Sequence, residues 1–463
     1  MRKLTAYSLS IIIAGAVLLP RQGASQEETM AETAQEDGFF KSAYRKILDT
    51  KAALDEKLPF EIHGFMEGAM GFLPDKNKLI RNHSFNLLQG RLQLKGTYYP
   101  EKPELLADWN TVFTFKIDFV GDGISEDFYV DFRELNVQFS PLDFMDVKVG
   151  RQILTWGTGD LIFINDLFPK DWVAFFTGLD DEYLKAPSDA MKVSLFSEIA
   201  NLDFVLIPYM QPDNYFKEGE RLSFYDPISG RIVGYHDHVH YDRPARDLEH
   251  MEFAGRLYRN FGSYEAAIYG FHGYYNRPLG VKNPLTDEYF YPRLNEIGAS
   301  LRGPVPKIGG IGNIEAGFYD SQQDIKGDDP FIENSSMKYL IGYERELWRD
   351  LTVGLQYYAE QMLQYGRYNH TRPPGSPARD ELRQMVTLRL TQLLFSQNVE
   401  LSLFTFYSPT DEDFHLRPRI SWDITDHWTW TLGSDVFAGA NEFTQFGMLR
   451  DDNNIYTRLR FNF

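Results

Sequence analysis

The composition of the chain excludes several classes of protein. It has 463 residues, no cysteine, 27 tyrosines, 36 phenylalanines and a formal net charge of −19. The absence of cysteine excludes a disulfide framework and thiolate metal sites. The acidic balance argues against a nucleic-acid-binding surface, which needs a basic face. At roughly 150 residues per soluble domain the length corresponds to about three domains, but no linker is visible and a barrel of this length forms one domain.

The first residues form a predicted signal peptide. Arg2 and Lys3 give a positive start, residues 4–19 are mostly apolar, and Gly23-Ala24-Ser25 supply small residues for cleavage. This pattern assigns residues 1–25 to a cleaved export signal. No later stretch reaches the ~20 apolar residues of a membrane helix. Only helices and closed barrels satisfy every backbone group in lipid, so a membrane protein with this sequence has to be a barrel.

Residues 26–57 are predicted to form a periplasmic segment. Its first part is acidic and polar, and between residues 39 and 57 the apolar side chains recur at helical spacing. That spacing predicts one amphipathic helix. Two positions for the helix remain open: it lies on the rim of the barrel, or it plugs the lumen.

From Leu58 onward the hydrophobic period changes to two. Around Leu92, for example, apolar residues alternate with Arg91, Gln93 and Lys95, so one face suits lipid and the other a water-filled lumen. The predicted fold is all-β, a transmembrane antiparallel up-and-down β-barrel of about eighteen strands over residues 58–463. The predicted strands start near residues 58, 84, 108, 127, 144, 188, 200, 249, 263, 290, 310, 335, 350, 380, 397, 413, 427 and 452.

Three local features refine this prediction. The alternation slips near Arg133-Glu134, which predicts a β-bulge. The connections alternate between short turns, such as residues 140–143, and long loops, such as 212–248, as expected for periplasmic turns and external loops. The last strand is apolar on one face and ends in Phe463, like the assembly signal of bacterial outer-membrane proteins. The expected partners are therefore the outer-membrane lipid bilayer and the outer-membrane assembly machinery.

The late strands place a series of arginines on the inward face. Barrel closure sets the last strand beside the first, so these arginines would join those of the second strand in one basic sector. Rings of arginine and lysine are how pores favour anions. The alternative is that they brace the wall by pairing with acids such as Glu400 and Asp435. The predicted pore-lining, anion-selective residues are Arg91, Lys95, Arg151, Arg383, Arg389, Arg417, Arg419, Arg458 and Arg460.

Residues 160–187 carry too many apolar side chains for a loop that faces water. We therefore expect this loop to fold into the barrel and narrow the pore. Its acids would then face the basic sector across a gap and create a transverse field. The alternative is a loop that mediates trimer packing or caps the mouth. The predicted constriction residues are Asp166, Asp171, Trp172, Asp180 and Asp181.

Gly150-Arg151-Gln152 followed by Trp156-Gly157 resembles a motif of porin-like outer-membrane families, including the alginate-export type. In those families a strand carrying this G-R-Q motif leads into a loop at the pore. The resemblance covers this stretch, the barrel layout and the terminal Phe463. It implies a passive β-barrel channel, in the alginate case one for an anionic polysaccharide. The residues alone leave a second possibility, an ion pair between Arg151 and Glu134.

The sequence offers little support for metal binding or catalysis. His236, His238 and His240 would lie on one face of an extended segment, which makes them weak candidates for a zinc, copper or nickel site. The alternative is a solvated loop, and we expect neither a metal nor a cofactor. No G-x-S-x-G, H-E-x-x-H or P-loop motif occurs, so we do not expect an enzyme.

The sequence therefore predicts a porin-like channel in the bacterial outer membrane. Its expected cargo is small anionic or oligosaccharide-like solutes that diffuse passively. Two alternatives remain: the barrel is the sheath or export component of a larger envelope complex, or it is an outer-membrane enzyme. The sequence predicts no oligomeric state.

Overall fold

The computed structural model describes Lys46, Lys51 and residues 60–216, 219–286 and 288–463. Eighteen strands form one closed sheet in which each strand pairs with its neighbours along the chain and the last pairs with the first. The strands are β1 Ile62–Phe72, β2 Phe85–Tyr98, β3 Val112–Asp122, β4 Asp127–Leu142, β5 Met145–Ile153, β6 Pro187–Leu195, β7 Asn201–Ile207, β8 Glu252–Phe261, β9 Tyr264–Tyr274, β10 Arg293–Pro304, β11 Ile311–Ser321, β12 Ser336–Trp348, β13 Leu351–Met362, β14 Leu382–Leu394, β15 Val399–Ser408, β16 Asp413–Asp423, β17 Trp428–Gly439 and β18 Asn454–Asn462.

The predicted antiparallel barrel of about eighteen strands is confirmed. Each strand begins within about four residues of its predicted start, the usual uncertainty of such boundaries. The predicted signal peptide and the predicted helix at 39–57 lie outside the described residues, apart from Lys46 and Lys51, so both stay predictions.

Helices are few and short in the described part of the chain. The α-helices are α1 Glu104–Asp108, α2 Trp172–Phe176 and α3 Tyr365–Thr371, and short 3-10 helices lie at Asp181–Leu184, Leu248–His250 and Gly447–Leu449. None of them is long and apolar enough to cross a membrane. The long loops contain further short strands, at Phe224–Asp226, Arg231–Val233, His240–Asp242, Gly280–Asn283 and Glu288–Phe290.

The two faces of the sheet differ as the alternation predicts. In β18, Ile455 is exposed on the outer face, whereas Tyr456 and Arg458 are buried on the inner face. Exposed apolar side chains such as Ile297 and Ile314 recur on the outer face of the other strands. A surface of this kind suits lipid, because successive side chains of a strand point to opposite faces.

The predicted bulge is present in β4. Lys116 pairs with Glu134 while the next residue of β3, Ile117, pairs with Phe132, so Arg133 is the additional residue. Both Arg133 and Glu134 consequently point into the barrel. Arg133 donates to the carbonyl oxygen of Lys185 at 2.7 Å and so holds the long loop after β5.

Short connections gather at one end of the barrel and long loops at the other. Two short turns, 123–126 and 409–412, nevertheless lie at the long-loop end, and the connection that contains α1 lies at the short-turn end. The long loops turn inward and pack against the inner wall. Their buried apolar residues include Ile164, Phe168, Phe176, Phe216 and Leu222, which join inward-facing Phe271, Tyr319, Leu340, Phe404 and Phe437 in one cluster. Packed side chains therefore fill much of the lumen at this end.

Candidate channel constriction

The loop of residues 154–186 crosses the lumen. At one end of its path Tyr183 donates from its hydroxyl to Asp118 on β3 at 2.8 Å. At the other, the Thr158 amide donates to Glu315 on β11 at 2.8 Å. In a closed ring of eighteen strands in chain order, β3 and β11 lie nearly opposite each other. The loop therefore spans the barrel. Most of its apolar side chains lie in the cluster described above, and Ala174, Leu179 and Tyr183 pack against Phe65, Ala69 and Leu87 in a second cluster.

Glu315 is the main anchor of this loop. Its carboxylate, 1% exposed, accepts five hydrogen bonds from the loop. The donors are the Thr158 amide (2.8 Å) and hydroxyl (3.0 Å), the Gly159 amide (3.1 Å), and the Asn165 amide (2.9 Å) and Nδ2 (2.8 Å). Gly157 allows the approach, since its φ is +79° and a Cβ there would lie 2.8 Å from Glu315 Oε1. Gly157, in the Trp156-Gly157 pair, therefore lets the loop approach Glu315 closely enough for these hydrogen bonds.

Two of the predicted constriction acids maintain the shape of the loop itself. Asp166 pairs with Lys170 at 2.9 Å and accepts from the Thr155 hydroxyl at 2.8 Å. Asp171 caps α2 by accepting from the Ala174 amide at 2.7 Å. Neither carboxylate makes an ion pair with the arginine wall in the described structure.

The aromatic side chains of α2 fix the position of the helix in the lumen. Trp172 donates from its indole Nε1 to Asp213 in the next long loop at 2.9 Å. It also stacks on Phe176 with ring centroids 5.9 Å apart. Phe175 lies 3.9 Å from the guanidinium carbon of Arg417 on β16. The helix is thus held both by a second loop and by the wall.

Asp181 contacts the arginine wall directly. Its carboxylate lies 3.2 Å from Arg417 and 3.3 Å from Arg419, both on β16. Each arginine also pairs with a wall acid: Arg417 with Asp435 at 3.0 Å and Arg419 with Glu400 at 2.7 Å. These are the two acids that the sequence indicated as neutralising partners.

Asp180 makes the matching contact with β18. It lies 2.9 Å from Arg458 and 3.2 Å from Arg460, and Arg460 also pairs with Glu67 on β1 at 2.8 Å. Burial alone would raise the pKa of Asp180, but the two guanidinium groups more than offset this and hold that pKa well below its usual range. The expected gap between loop acids and arginines is therefore absent here, because the two sets are in contact.

Arg91 and Tyr183 form a second contact between wall and loop. Arg91 on β2 is buried and pairs with Asp118 on β3. The Tyr183 ring lies between two guanidinium groups, 4.0 Å from that of Arg91 and 4.9 Å from that of Arg133. Lys95 follows on the same face of β2 and is exposed.

Two more of the predicted arginines face inward and lie on β14. Arg383 pairs with Asp411 at 2.6 Å and donates to Gln445 at 2.9 Å. Arg389 donates to Asp160 of the crossing loop at 2.8 Å. Eight of the nine predicted pore-lining residues thus face the lumen, and each inward arginine among them has a carboxylate partner.

Arg151 is the exception and corrects the prediction. It pairs in register with Leu135 on β4 and with Asp189 on β6. Leu135 and Val149 are exposed on the outer face, and Arg151 shares that face because it is two residues from Val149. Its ion pair is with Asp189 at 3.1 Å. Arg151 therefore does not line the lumen, and Glu134 pairs instead with Lys148 at 3.9 Å.

A polar cavity of 390 Å³ lies beneath the docked loop, toward the short-turn end. The loop contributes Asp180 and Asp181, and the wall contributes Arg419, Arg458 and Arg460. Three wall acids, Glu67, Glu400 and Asp423, also line the cavity. The remaining lining is mostly hydroxyl and amide groups, among them Gln397, Asn398, Ser421, Thr429 and Thr431. The cavity offers a solute both charged groups and neutral donors and acceptors.

Three of the long loops are connected through hydrogen bonds to one buried acid, Asp452. Asp452 accepts from Asn77 Nδ2 at 2.7 Å, and from the Ser223 hydroxyl and amide at 3.0 Å each. These three residues belong to three different loops. Burial raises the pKa of Asp452 to about 8, against the opposing effect of these hydrogen bonds.

The three weak metal candidates do not form one extended segment. His236 lies in a turn and His240 begins a short strand. The intervening Asp237 pairs with Arg231 at 2.5 Å. Among the residues that the structure describes, no group of three or more histidine or acidic side chains is arranged to hold a metal ion.

Comparison with known proteins supports the fold and little beyond it. No family model and no curated protein matches the sequence. Acinetobacter baumannii OccAB4 is 9% identical with a TM-score of 0.53, over 88% of this chain and 98% of that chain. Pseudomonas aeruginosa OccK11 (OpdR) is 8% identical with a TM-score of 0.50, over 87% and 95%. At such identities the similarity shows the fold alone, that of a porin-like barrel, and the alginate-export resemblance stays a prediction.

Proposed function

We propose that this protein is a porin-like channel of the bacterial outer membrane, through which small anionic or oligosaccharide-like solutes diffuse passively. The observation that carries the proposal is the series of arginines on β16 and β18 that borders the polar cavity inside a closed barrel with an apolar exterior. A barrel of this kind suits lipid outside and water inside. Arginines facing the passage supply donors for carboxylates, phosphates or sugar hydroxyl groups.

The charge balance makes anion preference depend on the position of the loop. Four guanidinium groups, those of Arg417, Arg419, Arg458 and Arg460, contact five carboxylates in the docked state. Two of the five, Asp180 and Asp181, belong to the loop. If the loop withdraws, the four arginines remain in contact with three wall acids, so this cluster of ion pairs becomes net positive, with Asp423 as a further acid in the cavity lining. An anionic solute would compete with Asp180 and Asp181 for the same guanidinium groups.

The reversal potential of the refolded barrel in a planar bilayer under a salt gradient tests this proposal. We expect stepwise conductance with anion preference, and a loss of that preference in the double variant Arg458→Gln, Arg460→Gln. Arg151→Gln is the matched control, since Arg151 lies on the outer face and its removal should leave the reversal potential unchanged. Cation preference would refute the anion selectivity, and absence of conductance would favour a closed sheath in a larger complex.

We also propose that Phe463 directs the chain to the outer-membrane assembly machinery. The terminal residue extends the β1–β18 pairing, since its amide donates to Gly64 at 3.0 Å and its carbonyl accepts from the Gly64 amide at 3.1 Å. It is therefore part of the strand that closes the barrel. Deleting Phe463 should lower the yield of assembled barrel in cells more than in refolding from urea; equal losses would argue against the proposal.

A further inference from the structure

Two buried acceptor oxygens meet without a donor where the crossing loop docks on β10. Glu296 on β10 and Asn165 in the loop are each 2% exposed. Neither Glu296 Oε1 nor Asn165 Oδ1 has a hydrogen-bond partner within the described structure. Both point into the notch beside Gly298, where a methyl group would lie 2.4 Å from Glu296 Oε1 and 1.7 Å from Asn165 Oδ1.

The Asn165 amide cannot supply the missing donor by turning over. Its Nδ2 already donates to Glu315 Oε1 at 2.8 Å. A rotated amide would set an oxygen against that carboxylate and would lose one of the five bonds that anchor the loop. The orientation with Oδ1 toward Glu296 is therefore the favoured one.

The charged and titratable groups around Glu296 do not compensate a negative charge on it by contact. Glu315, the acid on the adjacent strand, is occupied by the five loop donors. Lys338 on β12 lies 3.8 Å from the Tyr319 ring and pairs with Glu360 at 3.5 Å. The Tyr319 hydroxyl donates to the Ile164 carbonyl, and the hydroxyl of Tyr358 donates to Glu360 at 2.9 Å.

An ionised Glu296 would therefore be a buried charge beside an opposing acceptor and near a second carboxylate. Burying a charge without a partner is strongly unfavourable, and such a group becomes neutral instead. A proton on Oε1 removes both problems, because the carboxylic acid hydroxyl can donate to Asn165 Oδ1. The two opposed acceptors then form one hydrogen bond.

We propose that Glu296 is a positioning residue for the crossing loop, held as a neutral carboxylic acid that donates to Asn165. Ionisation of Glu296 breaks this bond and weakens docking of the loop, so the loop responds to pH. The consequence for solute passage rests on the proposed channel function. The hydrogen bond between Glu296 and Asn165, called the latch below, does not depend on that function, since it is a property of the folded barrel.

A single reporter cysteine can follow the latch, since the chain has no cysteine of its own. Ile164 is fully buried at the docking site, so in Ile164→Cys the thiol is protected while the loop is docked. We would measure maleimide labelling from mildly acidic to alkaline pH. Each rate is divided by that of Glu198→Cys in an exposed turn, which removes the intrinsic pH dependence of the thiol.

We expect the normalised labelling to rise with pH by about tenfold or more, the equivalent of about 1.4 kcal/mol for one lost hydrogen bond. Glu296→Gln should keep labelling low at every pH, because its amide donates to Asn165 without titrating. Glu252→Gln is the matched control, a buried glutamate on β8 that accepts from the Tyr274 amide and does not contact the loop. It should retain the pH dependence.

An unchanged pH profile in Glu296→Gln would overturn the proposal. Binding of a cation to the wild-type protein but not to Glu296→Gln would also overturn the proposal, because the cation would then occupy the place assigned to the proton. Infrared spectra give a second measure, since the protonated-carboxyl band should lose one component in Glu296→Gln and keep the component of Asp452. A barrel that labels as expected but does not conduct would refute the channel and keep the latch. A barrel that conducts but shows pH-independent labelling would refute the latch and keep the channel.

Discussion

The substitution Glu315→Gln tests whether one carboxylate holds the crossing loop in the lumen. Glutamine keeps one acceptor oxygen and replaces the other with an NH2 group that cannot accept. The variant loses at least the two bonds to Oε1, both from Asn165. Hydrogen bonds to a charged group contribute about 1.5–3 kcal/mol each. Local opening of the loop should therefore become easier by about 3–6 kcal/mol.

Hydrogen–deuterium exchange measures this opening directly. Since 1.4 kcal/mol corresponds to a factor of ten, the amides of Thr158, Gly159 and Asn165 should exchange about two to four orders of magnitude faster in the variant. Amides of the barrel strands should keep their protection, because the sheet is not altered. Glu344→Gln is the control, an exposed glutamate on the inner face of β12 that, within the described residues, makes no hydrogen bond or ion pair with the loop.

Unchanged exchange in residues 158–165 of Glu315→Gln would refute this reasoning, because it would mean that apolar packing alone holds the loop. Faster exchange throughout the barrel would also contradict it, because Glu315 would then support the sheet rather than the loop.

Three further substitutions test separate contacts. Gly298→Ala should displace the loop and expose it to protease, because the new Cβ would lie 1.7 Å from Asn165 Oδ1, whereas Gly121→Ala, with its nearest contact at 4.0 Å, should change nothing. Asp180→Asn should remove an acid-sensitive contribution to loop docking: the depressed pKa means that this contribution is present above the ordinary value of 3.8 and is lost as pH falls through the folded value. Asp452→Asn should instead remove a contribution to stability that is lost at alkaline pH, measured as the free energy of urea unfolding. The wild-type pKa of about 8 makes stability fall as pH rises from 3.8 toward 8, and the variant should lack this decline.

The sequence could predict the barrel because the two faces of every strand meet different solvents. The alternation that results fixes which residues point inward, and it placed Arg417 and Arg458 correctly. The same alternation contained the evidence against Arg151. Val147 and Val149 face outward, so Arg151 must share their face, but the G-R-Q motif was given more weight than the strand around it.

The partners of the crossing loop were less predictable. Its apolar composition indicates that it needs burial, but which wall residues it meets depends on the path of the chain through three dimensions. Glu315 and Glu67 were missed although alternation places both on the inner face. The sequence indicated only two inward acids, Glu400 and Asp435, as partners of the arginines, and Glu315 and Glu67 were not among them. A search for acids on inward faces would have found both, though not their partners.

If the protein is the proposed channel, the contacts at Asp180 and Asp181 link its ion selectivity to the position of the loop. Of the five carboxylates that contact Arg417, Arg419, Arg458 and Arg460, three are fixed by the sheet, so only Asp180 and Asp181 can leave with the loop. Any change that releases the loop should therefore move the reversal potential toward anions, whether it acts at Glu315, at Glu296 or at Gly298. If a released loop left the reversal potential unchanged, the arginines would be structural supports of the wall and the solute selectivity would have to arise elsewhere in the lumen.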